Sequence, residues 1–143
     1  MGDASLLIPA EKIKEVCVKL KQIEQFSFDC LSNLTAVDWK DRFEVVYHLF
    51  SYKYRHSLVL RVRLERPADM NVEASIASLG EEWGCANWLE REVFDLFGIR
   101  FEGHSDMRRI MLPDDWIGHP LRKDYKEQDD YHGISTTRQS LLN

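Results

Sequence analysis

Residues 58–65 read Leu58-Val59-Leu60-Arg61-Val62-Arg63-Leu64-Glu65. Successive side chains of a strand point to opposite faces, so Leu58, Leu60, Val62 and Leu64 share one side and Val59, Arg61, Arg63 and Glu65 the other. One side is apolar and the other mostly charged, which places this strand in a sheet covered on one face. Upstream, residues 34–39 (LTAVDW) and 43–52 (FEVVYHLFSY) read as two further strands, joined through the polar turn Lys40, Asp41, Arg42 into a hairpin.

The cover is helical. After Pro9, well placed in a first turn, Ile13, Val16, Cys17, Leu20 and Ile23 recur at offsets of three and four with Glu and Lys between them, the pattern of an amphipathic helix. After Pro67 helical spacing returns, broken by Gly80 and Gly84. A stronger helix then runs from about Ala86 to Phe97, with Ala86, Leu89, Val93, Leu96 and Phe97 as its core stripe. It ends at Gly98, since glycine past the last turn takes the left-handed conformation without a Cβ penalty. Trp88 and Phe94 lie off the stripe and are candidates for a partner surface, whereas Phe97 is core.

Beyond Gly98, residues 99–103 (IRFEG) and 108–112 (RRIML) each read as a short strand, before Pro113, Gly118 and Pro120 break the chain into turns. The boundary is therefore set near Leu112: a domain over 1–112 and an extended segment over 113–143. Past Leu121 the tail is too polar to hold one conformation alone and is expected to lie along a neighbour or to be mobile.

Composition narrows the function. At 143 residues the chain is the size of one domain. A net charge of −5 offers no general attraction to a phosphate backbone, so nucleic acid is not an expected partner. Cys17, Cys30 and Cys85 are widely spaced, with no C-x-x-C pair for zinc or an iron–sulfur cluster, and they fit a reducing compartment. The longest mostly apolar run, residues 43–50, is far below the roughly 20 residues of a membrane-spanning helix.

Residues 86–125 carry the densest pattern: ANWLEREVFDLFGIRFEGHSDMRRIMLPDDWIGHPLRKDY. Arg91 and Asp95 stand four residues apart and can pair across one helical turn as a surface ion pair. Glu90 and Glu92 flank the core stripe and need partners wherever they are covered. Arg108, Arg109, Arg122 and Lys123 could supply them, here or across a subunit boundary, arginine being suited to bidentate pairing with carboxylates. His104, Asp106, Asp114, His119 and Asp124 could on paper assemble a hydrolytic metal site, yet none has a recognised ligand spacing, and His104, Asp114 and His119 stand beside glycine or proline, where polar residues shape turns. There is neither a P-loop nor a G-x-G-x-x-G, so neither NADH nor flavin is expected on this chain.

The same stretch resembles the signature of the complex I (NADH:quinone oxidoreductase) 30-kDa subunit family. The resemblance rests on Glu90-Arg91-Glu92, Asp95, Leu96-Phe97, His104, Arg108 and Ile110-Met111. A second element follows as Asp114-Asp115-Trp116, Gly118-His119-Pro120-Leu121 and Arg122-Lys123-Asp124-Tyr125. The strands holding AVD (36–38), VVYHLFS (45–51) and LRVRL (60–64) fit the same pattern, so the likeness spans roughly residues 30–125. Ser105 and Lys126 stand where the family commonly has proline.

The resemblance implies an α+β fold, a two-layer α/β sandwich with a mixed sheet and an extended C-terminal tail. It further implies a structural, non-redox subunit with no catalytic, cofactor or metal residues of its own. It would sit in the hydrophilic arm of a complex that uses FMN, iron–sulfur clusters and quinone. The implied partners are the 49-kDa quinone-site subunit and adjacent iron–sulfur subunits, and the implied location is peripheral, on the cytoplasmic face of a bacterial inner membrane. Two alternatives stand beside it: the equivalent subunit of a membrane-bound hydrogenase or formate hydrogenlyase-type complex, and a metal-dependent hydrolase using His104 and His119.

Overall fold

A computed structural model describes residues 5–68 and 72–136. Its centre is a four-stranded mixed sheet in the order β1-β4-β3-β2, formed by β1 (Ser5–Ile8), β4 (His56–Glu65), β3 (Arg42–Ser51) and β2 (Cys30–Asp38). β1 runs parallel to β4, and the β2–β3 and β3–β4 pairs are antiparallel. The expected α+β class and mixed sheet are therefore found. The β2–β3 hairpin turns at the expected place, with Lys40 in the left-handed region (φ 74°).

Register follows from the alternation. Leu34, Tyr47 and Leu60 lie side by side, as do Ala36, Val45 and Val62, then Asp38, Phe43 and Leu64, and all nine are buried. The opposite rows, Thr35-Val46-Arg61 and Val37-Glu44-Arg63, face away from that core, with Glu44 covered by ion pairs to Arg61 and Arg63. A helix α1 (Ile13–Gln22), entered through a 3₁₀ turn at Ala10–Lys12, and a helix α2 (Ala86–Phe97) supply the other side of the core through Ile13, Cys17, Ala86, Val93 and Phe97. Ile23, assigned to the first helix's stripe, is instead half exposed past its end. α2 has the expected bounds, and Gly98 closes it with φ +69°.

Three elements differ from the expectations. After Pro67, residues 69–71 lie outside the described residues, and where helical spacing was expected Ala74–Ala77 is a strand, β5, paired in parallel with β6 (Ile99–Glu102). Its helical spacing was weak, and the pairing with β6 outweighs that local preference. Residues 108–112 form no strand, because the backbone N–H groups of Ile110, Met111 and Leu112 turn inward to a side chain. Finally, Asp130–Tyr131 (β7) and Ile134–Ser135 (β8) pair as a small hairpin with His132 and Gly133 both at positive φ, the geometry of a tight two-residue turn.

Candidate functional site: two buried aspartates that bind the C-terminal segment

Helix α2 is buried on two sides. The sheet covers Ala86, Val93 and Phe97, and the chain after β6 wraps the opposite side, where Asp95 has no exposed surface. Asp95 Oδ2 accepts hydrogen bonds from the backbone N–H groups of Ile110 (3.0 Å), Met111 (2.7 Å) and Leu112 (2.9 Å), and Oδ1 accepts from Arg109 Nη1 (2.6 Å). Burial by itself disfavours the charge, but these donors outweigh it and hold the carboxyl below its usual range. The expected Arg91–Asp95 surface pair is thus overturned. Arg91 instead donates to the carbonyl oxygens of Arg108 and Arg109, both at 3.0 Å, and its guanidinium lies over the ring of Trp88. Both side chains act on the same loop, one on its N–H groups and the other on its C=O groups.

The segment continues along the end of α2. His119 Nδ1–H donates to the Asp95 carbonyl (2.8 Å), and burial lowers the basicity of its ring. Arg122 Nε donates to the Phe97 carbonyl at 2.5 Å, answering one of the acceptors that a helix leaves unpaired at its C-terminus. The Leu121 N–H donates to the Leu96 carbonyl (3.0 Å). Gly98 is needed twice over, for its φ and because a Cβ there would stand 2.5 Å from His119 Cδ2 and 2.6 Å from Arg122 Nη2. Gly98→Ala is expected to cost about 2 kcal/mol or more, of which the left-handed backbone accounts for about 1–2. Gly98→Asn, which tolerates that backbone better, should not recover the loss in thermal unfolding, since its Cβ meets the same two side chains.

A second anchor is Asp38, on the last position of β2. Its buried carboxylate accepts from the backbone N–H of Lys40 (2.7 Å), the backbone N–H of Lys123 (2.8 Å) and the guanidinium of Arg66. Here too the donors outweigh the opposing effect of burial and keep the carboxyl acidic. Arg66 also pairs with Asp124 (2.6 Å), and the guanidinium groups of Arg66 and Arg122 both lie over Phe43, at 5.2 and 5.3 Å. Asp38, Arg66 and Phe43 were not among the expected site residues. One signal was present: Asp38 shares strand parity with Leu34 and Ala36, so it falls on the covered face.

Glu90 stands apart from this clasp. It is fully buried, in line with Ala86, Val93 and Phe97, and accepts from Ser78 Oγ (2.6 Å) and the Leu79 N–H (2.7 Å) rather than from the arginine cluster. Burial pushes its carboxyl up against the effect of those two bonds. A carboxyl raised on folding lends stability that is present below its unfolded pKa of about 4.3 and is lost as pH rises through the folded value. Glu90→Gln can keep a carbonyl acceptor for Leu79 and loses the titration. Thermal unfolding of this variant should therefore decline less than that of the parent between pH 5 and pH 8.

The remaining sites distribute as follows. Arg108 forms a two-point pair with Asp106 (2.6 and 2.7 Å), Glu92 and Asp114 are exposed, and the Tyr125 ring packs on Gly118. Trp116 stacks at a tilt on Tyr131, whose hydroxyl donates to Asp115. Trp88 is 63% exposed, as its off-stripe position implied, but Phe94 is partly covered by the edge of His119. His104 Nε2–H donates to the Asn87 carbonyl and Nδ1 accepts from the Asp106 N–H. His104 and His119 are thus committed to carbonyls eight residues apart on α2, about 12 Å along its axis. Among the described residues no group of three or more His, Cys, Asp and Glu comes together as a metal set. The convergence of His104 and His119 that the hydrolase alternative requires is not found among the described residues.

Fold and clasp together define an α+β domain whose signature charges are turned on its own backbone. The chain matches the family described as respiratory-chain NADH dehydrogenase, 30 Kd subunit, over residues 6–131, and it belongs to that family. It is 46% identical over 131 residues to the NADH-quinone oxidoreductase C subunit of Trichlorobacter lovleyi, covering 89% of this chain and 76% of that protein. To the protein of the same description from Moorella thermoacetica it is 41% identical over 126 residues, covering 87% and 80%. A chain in the structure of the membrane-bound sulfane sulfur reductase, an archaeal respiratory membrane complex, superposes with a TM-score of 0.72 at 28% identity, over 88% of this chain and 75% of that one.

Proposed function

We propose that this chain is a structural, non-redox subunit of the hydrophilic arm of a proton-translocating NADH:quinone oxidoreductase. It supports electron passage from NADH through FMN and iron–sulfur centres to quinone without binding any of these groups. The observation that carries the reading is the clasp: Asp95, Arg109, His119, Arg122 and Asp38 each engage backbone groups of the domain. Such contacts shape a surface. Its partners are the 49-kDa quinone-site subunit and adjacent iron–sulfur subunits, with Trp88 at an exposed contact point. No helix among the described residues is long and apolar enough to cross a membrane, which accords with peripheral attachment through those subunits on the cytoplasmic face of a bacterial inner membrane.

The likeness to a chain of the sulfane sulfur reductase complex supports a second reading. There the same module serves a related membrane-bound complex, as in hydrogenase or formate hydrogenlyase-type machines. One experiment addresses both: the full-length tagged chain is purified from native membranes, and its companions are identified and assayed. The main reading expects iron–sulfur and quinone-site subunits together with NADH-dependent quinone reduction. Hydrogenase-type companions without an NADH-oxidising module favour the second, and recovery of the chain as a free monomer overturns both.

A further inference from the structure

Residues 117–126 line an open-sided cavity of about 510 Å³ whose walls include Ile117, His119, Arg122, Asp124 and Lys126. Its charges are unbalanced. Arg122 is half-buried, its Nε and Nη2 point to the carbonyls of Phe97 and Gly98, and among the described residues no carboxylate forms an ion pair with it. Asp124, the acid in the wall, is already held by Arg66 at 2.6 Å. Lys126 is exposed and has no ion pair among the described residues. A cation taken partly out of water, bonded to carbonyls and lying over the Phe43 ring, still gains from a directly paired carboxylate, and arginine accepts one in a planar, directional geometry. The exposed side chain of Ile117 provides apolar contact in the cavity wall.

We propose that this cavity receives an Asp or Glu side chain from an extended segment of a neighbouring, different subunit, with Arg122 at its floor and Lys126 at its rim. The proposal rests on the chain being a subunit of a respiratory complex, and it gives the C-terminal segment a second role. Held by the two aspartates on one side, the segment presents a carboxylate socket on the other.

Zero-length cross-linking of the purified native complex tests it. A water-soluble carbodiimide joins an amine to a contacting carboxylate, so digestion and mass spectrometry should yield a peptide linking Lys126 to an Asp or Glu of another subunit. Lys126→Arg keeps the charge and should abolish that peptide while the complex stays assembled. Lys126→Glu should weaken retention of the chain about tenfold at low salt, with the difference shrinking as salt rises, as for a charge at an interface rim. If both chains co-purify but Lys126 yields no cross-link, or links only to this chain or a second copy of it, the socket is overturned and the subunit assignment stands. Recovery of the chain without companions removes both.

Discussion

Asp95→Ala is expected to destabilise the domain by about 3–5 kcal/mol, the range for removing one partner of a buried ion pair. The loss is large because the side chain left behind, Arg109, is only 16% exposed, and the N–H groups of Ile110, Met111 and Leu112 lose their common acceptor. For a domain of this size the change corresponds to a fall in Tm on the order of 10 °C. Asp95→Asn should fall between parent and alanine, because its single carbonyl oxygen replaces two acceptors. The pH dependence has a definite sign. Folding depresses the Asp95 carboxyl, so its contribution is complete above the unfolded value of about 3.9 and disappears as pH falls through the lower folded value. Parent and alanine variant should therefore converge in stability under strong acid. A Tm within about 2 °C of the parent at neutral pH, on the order of the scatter among surface substitutions, would sink this account of the clasp.

The second large effect is local. Asp38→Ala removes the acceptor for the Lys123 N–H and leaves Arg66 with Asp124 alone. A hydrogen bond to a charged group contributes about 1.5–3 kcal/mol, and this substitution removes two backbone bonds and an ion pair. A loss of about 3 kcal/mol raises the population of the detached segment about a hundredfold. Amide exchange read residue by residue should show Leu121, Arg122 and Tyr125 losing protection while the β3 ladder is affected less. Uniform loss across the sheet would mean that the segment is not a separable unit.

These contrasts show what the sequence made legible. The alternation at 58–65 placed a covered sheet correctly because period-two patterning depends only on one face being buried. α2 and its stop at Gly98 were legible for the same kind of local reason. Asp95 was not. Its side of α2 is covered by a segment with no periodicity of its own, so a helical wheel places the residue in solvent when it is in fact enclosed. Glu90 was recognised as needing a partner, but Ser78 and Leu79 could be identified only once β5 had brought them to the helix. Residues 108–112 show the converse error: they read as a strand, yet the N–H groups of Ile110, Met111 and Leu112 satisfy a carboxylate instead of a ladder. The family resemblance located these residues without stating what they do. In the structure Asp95, Arg109, His119 and Arg122 hold the C-terminal segment in shape.

The proposed role of the signature residues is architectural, with electron and proton transfer left to other subunits. Its most direct test measures, in membranes carrying Arg109→Ala, both the amount of assembled complex and its NADH-dependent quinone reduction per complex. Reduced abundance is expected, with turnover per complex near that of the parent. Normal abundance with quinone reduction lost would contradict an architectural role.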